Sequence, residues 1–140
     1  MTSLHERITA RTREAGNNVC FGIDPLLERI PFEGEAHQVV EKFGLGFLDA
    51  CQERGVLPAA VKPNAAYYEA FGPKAVESLA KICRAWAGAG VHVILDAKRG
   101  DIGRTSEAYS RAAFGQFSAS TVTVAPYMGR DSVEPFLGTE

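Results

Sequence analysis

Nowhere does the chain carry a run of about 18 uninterrupted apolar residues, so no membrane-crossing helix is expected. The stretch from Met1 to Arg13 sets His5, Glu6, Arg7, Arg11 and Arg13 among single apolar residues, and it lacks the apolar region of a secretory leader. A surplus of one charge is missing too. The net charge of −2 gives no reason to expect nucleic acid or an anionic membrane as partner, although a local positive cluster can still receive a small anion. Cysteine is scarce and odd in number. Cys20, Cys51 and Cys83 each sit in an apolar stretch without metal-ligand spacing, and they read as reduced core residues of a cytoplasmic protein. His5 and His37 fall on predicted helices with no Cys or acidic ligand pattern beside them, so no metal site is expected. Tyr67, Tyr68 and Trp86 lack the interleaved basic residues that base stacking needs and read as packing residues. Low-complexity segments and internal repeats are absent.

What is present describes an ordinary globular chain. At 46% hydrophobic and 23% charged, its 140 residues suffice for one domain with a real core. Helical and extended patterns alternate. Ser3 to Gly16 reads as a helix ended by Gly16-Asn17-Asn18. Val19 to Ile23 is a short apolar run rich in β-formers, read as a buried strand that stops at Asp24-Pro25. From Glu35 to Glu53, Val39, Val40, Phe43, Phe47, Leu48 and Cys51 recur at helical spacing. Ala59 to Lys62 is a second strand stopped by Pro63, and Asn64 to Phe71 a short helical turn. Gly72-Pro73 opens a helix with Val76, Leu79, Cys83 and Trp86 on one face. Val91 to Leu95 is the clearest strand; Arg104 to Phe117 is a helix, Ser120 to Val124 a fourth strand, and Asp131 to Leu137 starts another helix. The class is α/β with parallel pairing through right-handed crossovers. Near-continuously apolar strands suggest that both sheet faces are covered. Periodicity leaves two architectures open, a doubly wound sheet or part of a closed barrel.

The unusual polar groups gather where strands end. Asp24 follows the first strand, Lys62 and Asn64 stand at the end of the second, and Asp96, Lys98 and Asp101 follow the third. That edge is where parallel α/β sheets and barrels bind ligands. Residues two apart on a strand share a side, so Asp96 and Lys98 aim at one spot; Gly100 permits a turn by which Asp101 reaches back, and Lys62 adds a second cation. A salt bridge that only fastens a strand end would explain Asp96 and Lys98 by themselves. Convergence with Lys62, Asp101 and Asp24 favours function, because close alternating charges are unfavourable unless each is paired. Gly100-Asp101-Ile102-Gly103 is only loosely like a phosphate-cradling turn, and His92, inside a strand, reads as a packed histidine.

Asp96-Ala97-Lys98-Arg99-Gly100-Asp101-Ile102-Gly103 with Thr105 matches the DxKxxDIGxT signature of orotidine 5′-phosphate decarboxylases. Phe21-Gly22-Ile23-Asp24-Pro25 and Val61-Lys62-Pro63-Asn64 resemble that family's first two strand motifs. Tyr109 and Pro126-Tyr127-Met128-Gly129 are similar to its bacterial long-loop subgroup. The resemblance spans essentially the whole chain in the right order. DxKxxD by itself is shared with sugar-phosphate decarboxylases and synthases of the same superfamily.

The resemblance implies a (β/α)8 barrel, of which residues 1–140 form a single domain with about four βα units, the N-terminal half. It implies conversion of orotidine 5′-phosphate to UMP and CO2 without metal or organic cofactor. Lys98 resembles the lysine that stabilises and protonates the carbanion at pyrimidine C6, and Asp96 the carboxylate set beside the substrate's own. Lys62 and Asp24 resemble groups that hold the ribose hydroxyls and the charge network; Asn64 and Ile102 are implied pocket neighbours. Asp101 and Thr105 resemble residues donated across a homodimer interface into the partner's site. The phosphate-gripping glycine turn, a late arginine and a closing loop are expected outside these residues, since a barrel needs about 200 to 250. An open half-barrel is expected to self-associate or to belong with a remainder. Two alternatives stand beside this reading. One is a magnesium-dependent sugar-phosphate enzyme, whose family usually shows Glu where Asp96 stands; the other is a catalytically incomplete half-barrel that only associates.

Overall fold

The computed structural model describes residues 3–137. Helix α1, Leu4–Ala15, begins where Ser3 accepts the Glu6 amide at 3.2 Å and Glu6 accepts the Ser3 amide at 2.7 Å. It ends at Gly16 in the left-handed region. Strand β1, Cys20–Ile23, leads through a 3₁₀ turn at Leu27–Arg29 to α2, Ala36–Glu53. Strand β2, Ala60–Pro63, is followed by α3, Ala65–Glu69, and α4, Pro73–Gly88. Strand β3, His92–Arg99, α5, Gly103–Arg111, and strand β4, Thr121–Val124, complete the regular elements.

The four strands are parallel and lie in the order β1-β2-β3-β4. That order separates the two architectures left open above. A doubly wound sheet reverses direction at its switch point, whereas a barrel adds each strand beside the last. Right-handed crossovers in unbroken order put the connecting helices on one side of the sheet. Ile23, Val61, Val93 and Leu95 face that side and form one buried cluster with Val40, Leu48, Leu79, Ile82, Cys83 and Trp86. Gly44 permits the close approach of α2 and α4: a Cβ there would stand 2.6 Å from Ile82 Cδ1, and the Gly44 carbonyl accepts Trp86 Nε1 at 3.3 Å.

The other sheet face carries Cys20, Gly22, Ala60, Lys62, His92, Ile94, Asp96, Thr121 and Thr123, by register and alternation. Helix α1 covers only its lower end. Ile8, Arg11 and Thr12 line a cavity of about 140 Å³ against Cys20, Ala60, His92 and Ile94. Asn17 fastens the connection from α1, donating to the Leu57 carbonyl at 3.0 Å and accepting the Ala59 amide at 3.2 Å.

Several expectations need correction. Coverage of both sheet faces fails at β1, where Cys20, Phe21 and Gly22 are exposed, so Cys20 is not a core residue; Cys51 is half-buried and Cys83 buried. Pro63 does not stop β2 but pairs within it opposite Ile23, since its missing N–H is not demanded there. Strand β3 runs four residues past Leu95, so Asp96 and Lys98 belong to the strand. Helix α5 ends at Arg111 and widens into a π turn over Ala112–Gln116. Asp131 to Leu137 forms two 3₁₀ turns, Arg130–Ser132 and Glu134–Phe136, instead of a helix. Pro135 is the physical reason: it has no N–H for the carbonyl four residues back and disfavours helical geometry at Glu134. These turns are tied to α5 by Ser106, which donates to the Ser132 carbonyl at 3.2 Å, and by Ser110, which donates to the Pro135 carbonyl at 2.6 Å.

Candidate active site at the carboxyl ends of the strands

Asp96 is the centre of the polar cluster and is only 6% exposed. Its Oδ2 accepts Lys62 Nζ from β2 at 2.9 Å, and its Oδ1 accepts Lys98 Nζ at 2.5 Å. Oδ1 also accepts the Thr123 hydroxyl from β4 at 2.9 Å. Three strands thus converge on one carboxylate. Burial works to raise its pKa, but the hydrogen bonds from Lys98, Lys62 and Thr123 outweigh burial and hold it well below the usual carboxylate range. Lys62 is shifted the other way: its hydrogen bond to Asp96 raises its pKa against a partial desolvation, with further support from the charges of Asp96 and Asp24. Both groups therefore stay ionised at neutral pH.

Lys98 reaches this cluster by an unusual backbone. Its φ is +47°, in the left-handed region, within an irregular register between Leu95 and Arg99. Such a conformation costs a non-glycine residue about 1–2 kcal/mol and marks functional sites. Simple strand alternation is thus not what brings Lys98 to Asp96; the irregularity is. Its side chain remains 66% exposed, so the ammonium meets both Asp96 and solvent. Gly100, next along, is required by proximity: a Cβ there would sit 2.7 Å from the Ala125 carbonyl oxygen. Arg99 is clamped between Glu69, which it contacts, and the face of Tyr109, 5.0 Å from the ring centroid.

The remaining expected site residues divide. Asp24 stands exposed at the end of β1, where its charge supports Lys62. Asn64 pairs its backbone with Asp96, but its side chain is used locally, accepting the Ala66 amide at 3.2 Å as the cap of α3. Asp101 does not reach back. Its carboxylate accepts the Ile102 amide at 2.7 Å, and it forms no ion pair among the described residues. The reason is local, since the turn into α5 directs Asp101 to the nearest free amide. Ile102, 55% exposed, is the cap residue of α5, and Thr105 is exposed in the first turn of that helix. His92 is buried, and its Nε2 pairs with Thr121 Oγ1 at 2.7 Å, in keeping with a packed histidine. Thr123 was not among the residues expected from sequence. Its position two residues into an apolar strand looked like an ordinary β-former, and only the pairing of β3 with β4 identifies it.

Among the described residues no group of three or more His, Cys, Asp or Glu could hold a metal ion, and no helix is long and apolar enough to cross a membrane. The cluster can present a cation beside a buried carboxylate that is ionised at neutral pH, an arrangement suited to meeting negative charge that develops on a substrate.

Comparison with known proteins agrees with this fold. Residues 17–139 match the model of the orotidine 5′-phosphate decarboxylase / HUMPS family. An orotidine 5′-phosphate decarboxylase of Roseiflexus sp. (strain RS-1) is 42% identical over 136 residues, covering 96% of this chain and 48% of the relative. One from Flavobacterium johnsoniae is 41% identical over 140 residues, covering 98% and 49%. The chain spans about half the length of the curated relatives it matches. In structure, Leishmania donovani OMP decarboxylase superposes with a TM-score of 0.76 at 34% identity, over 96% of this chain and 48% of its own. A Toxoplasma gondii crystal structure superposes at 0.83, also at 34% identity, over 97% of this chain and 45% of its own. With its four parallel strands in barrel order, the chain belongs to the orotidine 5′-phosphate decarboxylase / HUMPS family.

Proposed function

We propose that this chain carries the charge cluster of a decarboxylase that converts orotidine 5′-phosphate to UMP and CO2 in pyrimidine synthesis. The observation that carries the reading is the Lys62–Asp96–Lys98 array at the carboxyl ends of parallel strands. In the reaction the bond from C6 to the carboxylate breaks, CO2 leaves, and the electron pair remains at C6. The Lys98 ammonium stands against that developing charge and then delivers its proton to C6, closing the balance. Asp96, kept ionised by its three donors, lies beside the substrate carboxylate and holds Lys98 in line. Lys62 keeps Asp96 charged, and with Asp24 it offers contacts to the ribose hydroxyls. Asn64 is a neighbour of the pocket. No cofactor takes part.

Asp101 and Thr105 act on a second copy in this proposal, and Ile102 is a neighbour of the pocket. Among the described residues Asp101 forms no ion pair with its own cluster, and Thr105 is exposed in the first turn of α5, which supports a homodimer whose sites are shared. Free cysteines suit a cytoplasmic setting. The magnesium-dependent sugar-phosphate reaction is less well supported, because both Asp96 oxygens are occupied by ammonium and hydroxyl donors.

The test is a barrel carrying these residues in which Lys98 is replaced by Ala. Turnover of orotidine 5′-phosphate should fall by at least about 10³-fold, the scale on which preorganised charge and proton donation act together, with UMP binding retained. Near-normal turnover would remove Lys98 from the mechanism.

A further inference from the structure

We propose that Thr123 is a positioning residue, whose single hydroxyl fixes the backbone of Lys98 and orients the Asp96 carboxylate. The inference rests on the roles given to Lys98 and Asp96 above, but its geometry stands apart from any turnover.

The argument begins with the register of β3 against β4. Leu95 pairs with Val122 and Arg99 with Val124, so β3 spends four residues where β4 spends two. The additional residues form an irregular bulge that contains Lys98 at φ +47°. A bulge leaves an amide without its ladder carbonyl. Lys98 N–H is such a group, and it donates to Thr123 Oγ1 at 3.0 Å. An amide can only donate, so the hydroxyl oxygen is the acceptor in that contact. Its own hydrogen is then available for Asp96 Oδ1, 2.9 Å away. One hydroxyl therefore acts in both directions, and each direction touches a residue of the proposed chemistry.

This arrangement ties the conformation of Lys98 to the ionised state of Asp96. The carboxylate favours the donated hydroxyl hydrogen, which leaves the hydroxyl lone pair for the Lys98 amide. Other charges face Asp96 as well: Lys62 from β2, Lys98 from β3, and Asp24 beyond Lys62 at the end of β1. Two ammonium groups remain when Thr123 is changed, so the carboxylate stays ionised at neutral pH. What is lost is the link to the backbone. Valine matches threonine in shape and lacks both hydrogen-bonding functions; serine keeps them.

The experiment is heteronuclear NMR on the protein itself, comparing Thr123→Val and Thr123→Ser with the parent. In Thr123→Val the Lys98 amide should exchange about tenfold faster or more, as expected for loss of its acceptor. The Asp96 carboxyl carbon should begin to titrate at higher pH. Thr123→Ser should restore both readings toward the parent. Should valine distort the strand, Thr123→Ala removes the same hydroxyl without the second methyl, and the serine comparison is made against it. Unchanged Lys98 exchange and Asp96 titration in the hydroxyl-free variant would overturn the proposal, as would a serine variant indistinguishable from valine. Neither readout requires substrate, so failure here is separate from absence of decarboxylation.

Discussion

Asp96 is buried and charged at once, a combination maintained only by its donors. Its folded pKa is depressed, so its share of stability is present above the ordinary value of about 3.9 and is lost as pH falls toward the folded value. Lys62→Gln removes one ammonium and leaves Lys98 and Thr123 in place. The acid limb of unfolding, followed by circular dichroism, should then move to higher pH; an unmoved limb would mean that Lys62 contributes nothing to holding Asp96 ionised. His92 has the opposite charge type and the same direction of shift. Burial, helped by the positive charge of Arg7, lowers its pKa and keeps the folded ring neutral. The unfolded chain takes up a proton near pH 6.5, so stability should rise with pH through the window just below that value. In His92→Gln that component of the slope should vanish in thermal melts between pH 5 and 7, by about one proton. A slope identical to the parent's would show that another group titrates there.

At the scale of elements, two glycines are held by neighbours that a methyl group would strike. Gly44→Ala adds a helix former, worth about 0.5–1 kcal/mol, but drives Cβ into Ile82 in the tightest part of the α2–α4 contact. Overpacking at about 1–3 kcal/mol should win, and the melting temperature should fall. Gly100→Ala meets a backbone carbonyl, which yields less easily than the end of a side chain. It should disturb the top of β3 and β4, read as faster exchange of the Ala125 amide, which donates to Arg99 O at 2.7 Å. Most elements were legible because periodicity and punctuation agreed: Gly16 after the first helix, Gly72 with Pro73, and the apolar run before Asp96. Less legible were features set by pairing between strands. The bulge at Lys98 and the role of Thr123 depend on β4 lying beside β3, and no local pattern encodes that. Exposure of Cys20 belongs with them, since an apolar stretch tells of burial only when a neighbour exists to supply it.

For the whole molecule, strand order identifies the sheet as a run of consecutive barrel strands, and β1 and β4 each have one edge without a neighbouring strand among the described residues. Val19 and Phe21 are exposed beside the β1 edge, and the inner face is covered only at its lower end by α1. Unpaired parallel edges with adjoining apolar side chains favour association. The 140-residue chain should therefore show a mass in sedimentation that rises with concentration. A monomer at all concentrations would mean that the edges are adequately protected. Shared sites have their own test in a barrel carrying these residues: mixing Asp101→Ala with Lys98→Ala should recover part of the activity that each lacks. No recovery would place both residues in one subunit's site.

The central claim is that Lys98, set by Asp96, decarboxylates orotidine 5′-phosphate without a metal. The most direct measurement is the decay of substrate absorbance on mixing orotidine 5′-phosphate with a barrel carrying these residues, in the presence of EDTA. The account predicts decay to UMP at a rate unchanged by the chelator and abolished by Lys98→Ala. Decay that stops with EDTA, or none in such a barrel with every cluster residue intact, would contradict it.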